Sequence, residues 1–338
     1  MRISDKQTTR SFLNNLEKAK TAYAETNERI ASGKRFTRIS DDVSAGTRAL
    51  RVRADLSKTQ EYYDNVNAVN EQLTTTEDAL TAINEILTKV HTKVLSAMNS
   101  TSGESGRQAL ANEIGDMRDE LLQFANTTYN DAFVLGGSSA STAPFTTDDS
   151  GNLLFNGIDV NSIEHDDNGY YCMDGSTRTE IPMSGDTYVD VGLGISMTGS
   201  TVDSDSAIRT SYSGLEILGS GKDGTGTTNN IFNILTQLSD NIANYNADVV
   251  GSYDDKLLSF TESFSGYLTD IGAKTSFLDT IEKRINTSID TYESQIGRLV
   301  GIDDAEEVTN QSQNDYVLKA VLSMGAKIIP VSLMDFLN

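Results

Sequence analysis

The sequence predicts a mainly α protein, an elongated coiled-coil rod built from its N- and C-terminal halves with a small β-rich insert between them. Three observations predict it. Apolar residues repeat every seven positions in both halves of the 338-residue chain. Glycine and proline concentrate in the middle, where 15 of the 26 glycines fall between Gly136 and Gly226, together with Pro144 and Pro182. Only 37% of the residues are hydrophobic, a low share for one large globular core.

The first element is an amphipathic arm, in which Phe12, Ala19 and Thr26 alternate with Leu16, Tyr23 and Ile30. Ser4 to Gln7 offer a capping box at its start, and Gly33 suits its end, where a helix often turns to positive φ. Ser40, Asp41 and Asp42 then stand as N-cap candidates for the next helix, with carboxylates where the helix dipole favours them.

From Thr47 to Ser102 there is neither glycine nor proline. A helix through most of that stretch would be on the order of 75 Å long at about 1.5 Å per residue. Val66, Leu73, Leu80, Leu87 and Val94 repeat at seven, and Val69, Ile83, Val90 and Ala97 fill the offset positions, which is a coiled-coil seam. After a Ser/Gly break at Ser100 to Gly106, Leu110, Met117 and Phe124 repeat, offset by Ile114 and Leu121, as a shorter helix folding back on the first.

In the middle, NLLFNGIDV and TYVDVGLGISM read as short strands separated by Gly, Asn and Asp turns. Ile231, Leu238 and Tyr245 then mark one helix, and Leu257, Phe264, Ile271, Leu278, Ile285, Tyr292 and Leu299 keep one register across another. Gly266, Gly272 and Gly297 in that last helix each cost roughly 1 kcal/mol relative to Ala, so packing has to offset weak propensity. At the end, Val317, Leu318, Val321 and Leu322 form an apolar face that Pro330 interrupts before SLMDFLN.

The domain reading is therefore terminal assembly arms at 1–42 plus 301–338, a helical rod at 43–135 plus 227–300, and an outward-facing β-rich insert at 136–226. Isolated helical arms of this length are marginal in water, so they are expected to order fully only against copies of themselves. The expected interface residues are Phe12, Leu16, Tyr23, Ile30, Arg35, Val317, Val321, Leu333, Phe336 and Leu337.

Charge and chemistry exclude several function classes. The formal net charge of -22 argues against nucleic acid as the partner. It is unevenly placed: residues 1–60 carry 13 basic and 7 acidic side chains, while residues 301–338 carry 2 basic and 6 acidic, so the two ends look complementary to each other. Lys34, Arg35, Arg38, Arg48, Arg51 and Arg53 are expected to meet acidic residues of an adjacent copy. Cys172 is the sole cysteine, which leaves no intramolecular disulfide and no thiol metal site. No run has the length of a secretory signal or a membrane span, so neither a cleaved leader nor membrane insertion is expected.

A metal- or nucleotide-dependent enzyme, the alternative from another class, finds little support. Glu164, His165, Asp166 and Asp167 read as a solvated turn, since adjacent residues of an extended chain point different ways. The glycine-rich run Gly219 to Asn230 has Glu216 and Asp223 where a phosphate loop needs Gly and Ser or Thr, and it reads as a return linker. Asp148 to Gly151 lacks the downstream Glu of a calcium loop. No cofactor is expected.

The run IASGKRFTRISDDVSAGTRAL, Ile30 to Leu50, resembles the N-terminal signature of bacterial flagellins and their hook-associated relatives. ANTTYNDAFVLGGSSASTAPF, Ala125 to Phe145, the ending AKIIPVSLMDFLN and the start MRIS are similar to the hook–filament junction members of that family. Val43 stands where junction proteins often have Pro and is closer to filament flagellin, so the two sister readings stay open. The resemblance covers roughly residues 1–145 and 210–338. It implies a structural subunit joining hook to filament, exported through the flagellar type III apparatus. The partners it implies are copies of itself, flagellin, another hook-associated protein, and a secretion chaperone at the C-terminal helical region.

Overall fold

The computed structural model describes residues 2–98, 103–137, 142–148, 151–166, 169–175, 177–181, 187–199, 201–203 and 206–334. Helices dominate the described residues: α1 (Arg2–Ser32), α2 (Val43–Met98), α3 (Glu104–Ala125), α4 (Gly214–Leu218), α5 (Ile231–Ala243), α6 (Ala247–Val300) and α7 (Asp304–Met334). The chain forms two compact units, residues 1–60 with 286–338, and residues 61–285. The divisions fall inside α2 and α6, which run on unbroken, and not at the loops that precede α2 and α7.

In the unit of residues 61–285 the expected seam of α2 is the core. Leu73, Leu80, Ile83, Leu87, Val90 and Val94 are fully buried, and Val66, Val69 and Ala97 nearly so. Thr76 occupies the offset position between Val69 and Ile83 and is just as buried, because its hydroxyl donates to the Gln72 carbonyl at 2.8 Å and leaves only a methyl to pack. On α6, Leu257, Phe264, Ile271 and Leu278 are fully buried and Ile285 nearly so. His91 Nδ1 lies 2.7 Å from Asp254 Oδ1, tying α2 to α6.

Helix α3 packs on α5. Its buried face is Ala111, Ile114, Leu121 and Ala125, while Leu110, Met117 and Phe124 are only half-buried. The small alanines let α5 approach closely, with Ser239 donating to the Ala111 carbonyl at 2.8 Å. Asn230 caps α5 by accepting from the Asn233 N–H, and its amide donates to the carbonyl of Gly219 at 2.8 Å. Tyr245 does not extend the α5 repeat: the helix ends at Ala243, and Tyr245 is exposed in the next turn with φ of 58°.

The β-rich segment consists of short antiparallel pairings. Strands β1 (Thr128–Tyr129) and β2 (Ala132–Phe133) join through Asn130 and Asp131, both at positive φ, as a two-residue hairpin requires. β3 (Phe145–Thr147), β4 (Leu153–Phe155) and β5 (Ile158–Asp159) form one sheet, with Asn156 and Gly157 making the β4–β5 turn in the same way. β6 (Ile163–Asp166), β7 (Gly169–Asp174) and β8 (Thr177–Glu180) form a second. β9 (Tyr188–Val189) pairs with β12 (Ile208–Arg209), and β10 (Met197–Thr198) with β11 (Thr201–Val202).

Asn126, at the end of α3, anchors this segment by bonding both ways to Phe145, donating to its carbonyl at 2.8 Å and accepting from its N–H at 3.1 Å. Gly214 is needed where it is, because a Cβ there would run into the Phe145 ring. The linker at Gly219 to Asn230 closes around Asp223, which accepts from Thr225 and Thr227 and from Lys256 Nζ of α6 at 2.8 Å.

Candidate assembly interface

The two chain ends meet in the unit of residues 1–60 and 286–338, where α1 packs antiparallel on α7. The α7 seam follows spacings of four and three: Glu307, Gln311, Asn314, Leu318, Val321 and Gly325. Its first half is polar. Arg29 Nε donates to Glu307 Oε1 at 2.5 Å, Gln311 donates to Asn27 Oδ1 at 2.6 Å, and Asn314 donates to Thr26 Oγ1 at 2.8 Å. Glu307 is 9% exposed and therefore depends on its arginine, since a buried carboxylate without a partner costs several kcal/mol.

The second half is apolar and tight. Gly325 lies against the Phe12 ring so closely that a Cβ would collide with it. Ala19 is buried between these two regions, so the Phe12, Ala19, Thr26 repeat is the face that α1 turns to α7. The buried Thr26 hydroxyl donates to its own helix at Ala22, as Thr76 does to Gln72 in α2.

The linker between α1 and α2 is fastened to the α6–α7 turn. Gly33 ends α1 at φ of 64°, Lys34 and Gly301 form an antiparallel bridge, and the Arg35 N–H donates to the Val300 carbonyl at 2.7 Å. The Arg35 guanidinium reaches the Leu299 carbonyl at 3.3 Å and Asp42 Oδ2 at 3.2 Å. Asp42 also caps α2, its Oδ1 accepting from the Ala45 N–H at 2.9 Å. Of the three cap candidates, Asp42 therefore fills the role.

The expected interface residues divide into three groups. Phe12, Leu16, Tyr23, Ile30 and Val321 are half-buried in the arm pair, and Arg35 makes its contacts inside the chain. Val317 faces away from α1 and is 47% exposed, alongside Tyr316 at 74% and Met324 at 55%. Phe336 and Leu337 lie outside the described residues; Leu333 falls on α7, and its side chain is not described, nor is that of Ser4 in the expected capping box. Each arm thus lies against the other within one chain.

Arg29, Glu307, Gln311 and Asn314 are polar and so stand outside every apolar repeat of the sequence. A polar seven-residue spacing, Glu307 to Asn314, opposite Arg29 and Thr26, was the available signal. Among the described residues no three His, Cys, Asp or Glu side chains are grouped to hold a metal, and no helix is long and apolar enough to cross a membrane. Glu164 accepts from the Tyr171 hydroxyl at 2.7 Å and Asp166 from Arg178, so these two carboxylates of the sequence cluster serve as partners across the second sheet. Asp167 lies outside the described residues.

Residues 3–140 match the family described as bacterial flagellin N-terminal helical region. The chain is 25% identical over 147 residues to flagellar hook-associated protein 3 of Escherichia coli (strain K12), covering 43% of this chain and 46% of that protein. It is 28% identical over 145 residues to flagellin 1 of Proteus mirabilis, covering 42% and 40%. The chain spans about half the length of the curated relatives it matches. A solved flagellar hook-associated protein of Vibrio parahaemolyticus aligns with a TM-score of 0.56 at 18% identity, over 77% of this chain and 100% of that one. Bacillus cereus FlgL aligns with a TM-score of 0.50 at 15% identity, over 73% and 98%.

Proposed function

We propose that this chain, flagellin-like in its N-terminal helices and with the fold of the flagellar hook-associated proteins, is a structural subunit that joins hook to filament in the bacterial flagellum. The observation that carries the reading is the pairing of its two ends. α1 and α7 close on each other through a polar and then an apolar seam, while Tyr316, Val317 and Met324 face outward. A stripe of exposed apolar side chains on a paired helix is a surface for further copies.

Filament flagellin is the second reading, favoured by the 28% identity to flagellin 1 of Proteus mirabilis and by Val43. One experiment separates them. A tag on the chain, imaged in intact flagella, is expected only at the base of the filament; label along the whole filament would overturn the junction reading. Loss of the gene is expected to leave hooks in place while flagellin escapes into the medium.

The partners on this reading are copies of itself, flagellin, another hook-associated protein, and a secretion chaperone at the C-terminal helical region. Export follows the flagellar type III route. Disabling that export apparatus is expected to retain the chain in the cell, and secretion that persisted would count against the route.

A further inference from the structure

Within the unit of residues 1–60 and 286–338, Arg48, Arg51 and Val52 of α2 and Gln295, Arg298 and Leu299 of α6 line an open groove of about 350 Å³. Val52 and Leu299 are half-buried and supply an apolar floor. Arg48, Arg51 and Arg298 are exposed, and among the described residues none of these guanidinium groups has a hydrogen bond or ion pair. Their situation differs from that of Arg29 and Arg35, which are tied to Glu307 and Asp42. Three unpaired cations around an apolar floor suit an acidic helix whose stem can rest on Val52 and Leu299.

The chain itself carries such a surface. Between Lys58 and Lys89, α2 has six carboxylates and no Lys or Arg. Asp64, Glu71, Asp78 and Glu85 repeat every seven residues along it, and all four are exposed. Glu71 accepts from Tyr129 at 2.6 Å; Asp64, Asp78 and Glu85 have no ion pair among the described residues. The charge is divided in the same sense between the two units. Residues 1–60 and 286–338 hold 16 basic and 15 acidic side chains, or +1, leaving 11 basic and 34 acidic, or -23, for residues 61–285.

We infer that the groove of Arg48, Arg51 and Arg298 docks the carboxylate row Asp64, Glu71, Asp78 and Glu85 of a second copy of this chain. The inference rests on the reading of the chain as a self-assembling subunit, and it names the surfaces that do the assembling. Opposite charge across such a contact sets the choice of partner and its register more than its gross strength. The three arginines are exposed, so replacing them leaves the packing of the arms intact.

The test is a charge exchange in the full-length protein, read by sedimentation velocity. The wild-type chain is expected to self-associate, and association is expected to weaken at least about tenfold between roughly 0.05 and 0.5 M salt, where exposed charges become screened. Arg51→Glu with Arg298→Glu is expected to abolish it, as is Asp78→Lys with Glu85→Lys. Mixing the two variants is expected to restore a heterodimer, and Arg51→Lys with Arg298→Lys to keep association, which separates docking from a folding defect. Wild-type-like association of both reversed variants, or failure of the mixture to recover, overturns the groove while leaving the subunit reading in place. A wild-type chain that stays monomeric at low salt overturns the docking itself, and tag imaging then judges the junction reading independently.

Discussion

Asn314 on α7 donates a 2.8 Å hydrogen bond to Thr26 Oγ1 on α1, and that hydroxyl donates in turn to the Ala22 carbonyl at 2.8 Å. Thr26 is fully buried, so the amide is tied to one position along the partner helix. Sliding α1 by one heptad would set Asn314 against Ala19, which offers no side-chain acceptor for its bond. Polar groups at seam positions cost stability relative to apolar ones and in return fix register.

Thr26→Val is accordingly expected to destabilise the arm pair by about 1–3 kcal/mol, since it removes the 2.8 Å acceptor and leaves Asn314 only its long 3.4 Å contact with the Ala22 carbonyl. Adding Asn314→Leu is expected to recover most of the loss, because two apolar partners leave no polar group stranded. Hydrogen-exchange protection of the α1 and α7 amides measures both. Equal losses in the single and double variants would show that the bond carries no register.

Gly325→Ala tests the apolar half of the same seam. The added methyl meets the Phe12 ring, and neither helix can withdraw without giving up the polar contacts further along. Overpacking of this kind is expected to cost roughly 1–3 kcal/mol. Phe12→Leu in the Gly325→Ala background makes room and is expected to restore protection in part.

Gly266→Ala and Gly272→Ala in α6 are expected to act in the opposite direction. A Cβ at either position meets nothing within 4 Å, so the helix gains propensity without collision. Each substitution should raise stability by about 1 kcal/mol, seen as a higher denaturant midpoint at unchanged slope. These glycines are thus not required by close packing, and the burial of Leu257, Phe264, Ile271 and Leu278 holds the helix despite their weak propensity.

Asp223 makes stability depend on acid. The Lys256 ammonium first, then the Thr225 hydroxyl and the backbone N–H groups of Thr227 and Thr225, hold its carboxyl well below the ordinary carboxylate range. A depressed folded-state value stabilises at pH above the unfolded value and is lost as pH falls through the folded one. The melting difference between wild type and Asp223→Asn is therefore expected to be constant from pH 7 to about 5 and to shrink below about 4. A difference that persisted undiminished in acid would assign the effect to packing.

The long-helix core was legible because seven-residue apolar repeats are written directly in the chain: Val66 to Val94 and Leu257 to Ile285 are buried where the repeat puts them. The loop at Gly33 and the cap at Asp42 were legible for a local reason, the backbone conformation and the unpaired N–H groups at helix ends. The α1–α7 contacts were not, because Arg29 and Glu307 are 278 residues apart and their polar types resemble a solvated face until the partner is present. Arg298 was missed for a similar reason, since its neighbours in the groove, Arg48 and Arg51, come from the other end of the sequence.

The unit of residues 61–285 should stand alone. Its core is made from its own segments of α2, α3, α5 and α6, from Val66 to Ile285, and both sheets with buried anchors, at Phe145, Phe155 and Ile163, lie within it. Removing residues 1–60 and 286–338 deletes the arm pair and the arginine groove but none of that core. The fragment is expected to unfold cooperatively with a midpoint within about 3 °C of the corresponding transition in the full chain, a shift near 1 kcal/mol for a domain of this size. It is expected to be absent from purified flagella when expressed in place of the full chain. A fragment that lost its cooperative transition would show that α1 and α7 belong to one folding unit with the core, and the division of labour between folding and assembly would then have to be redrawn.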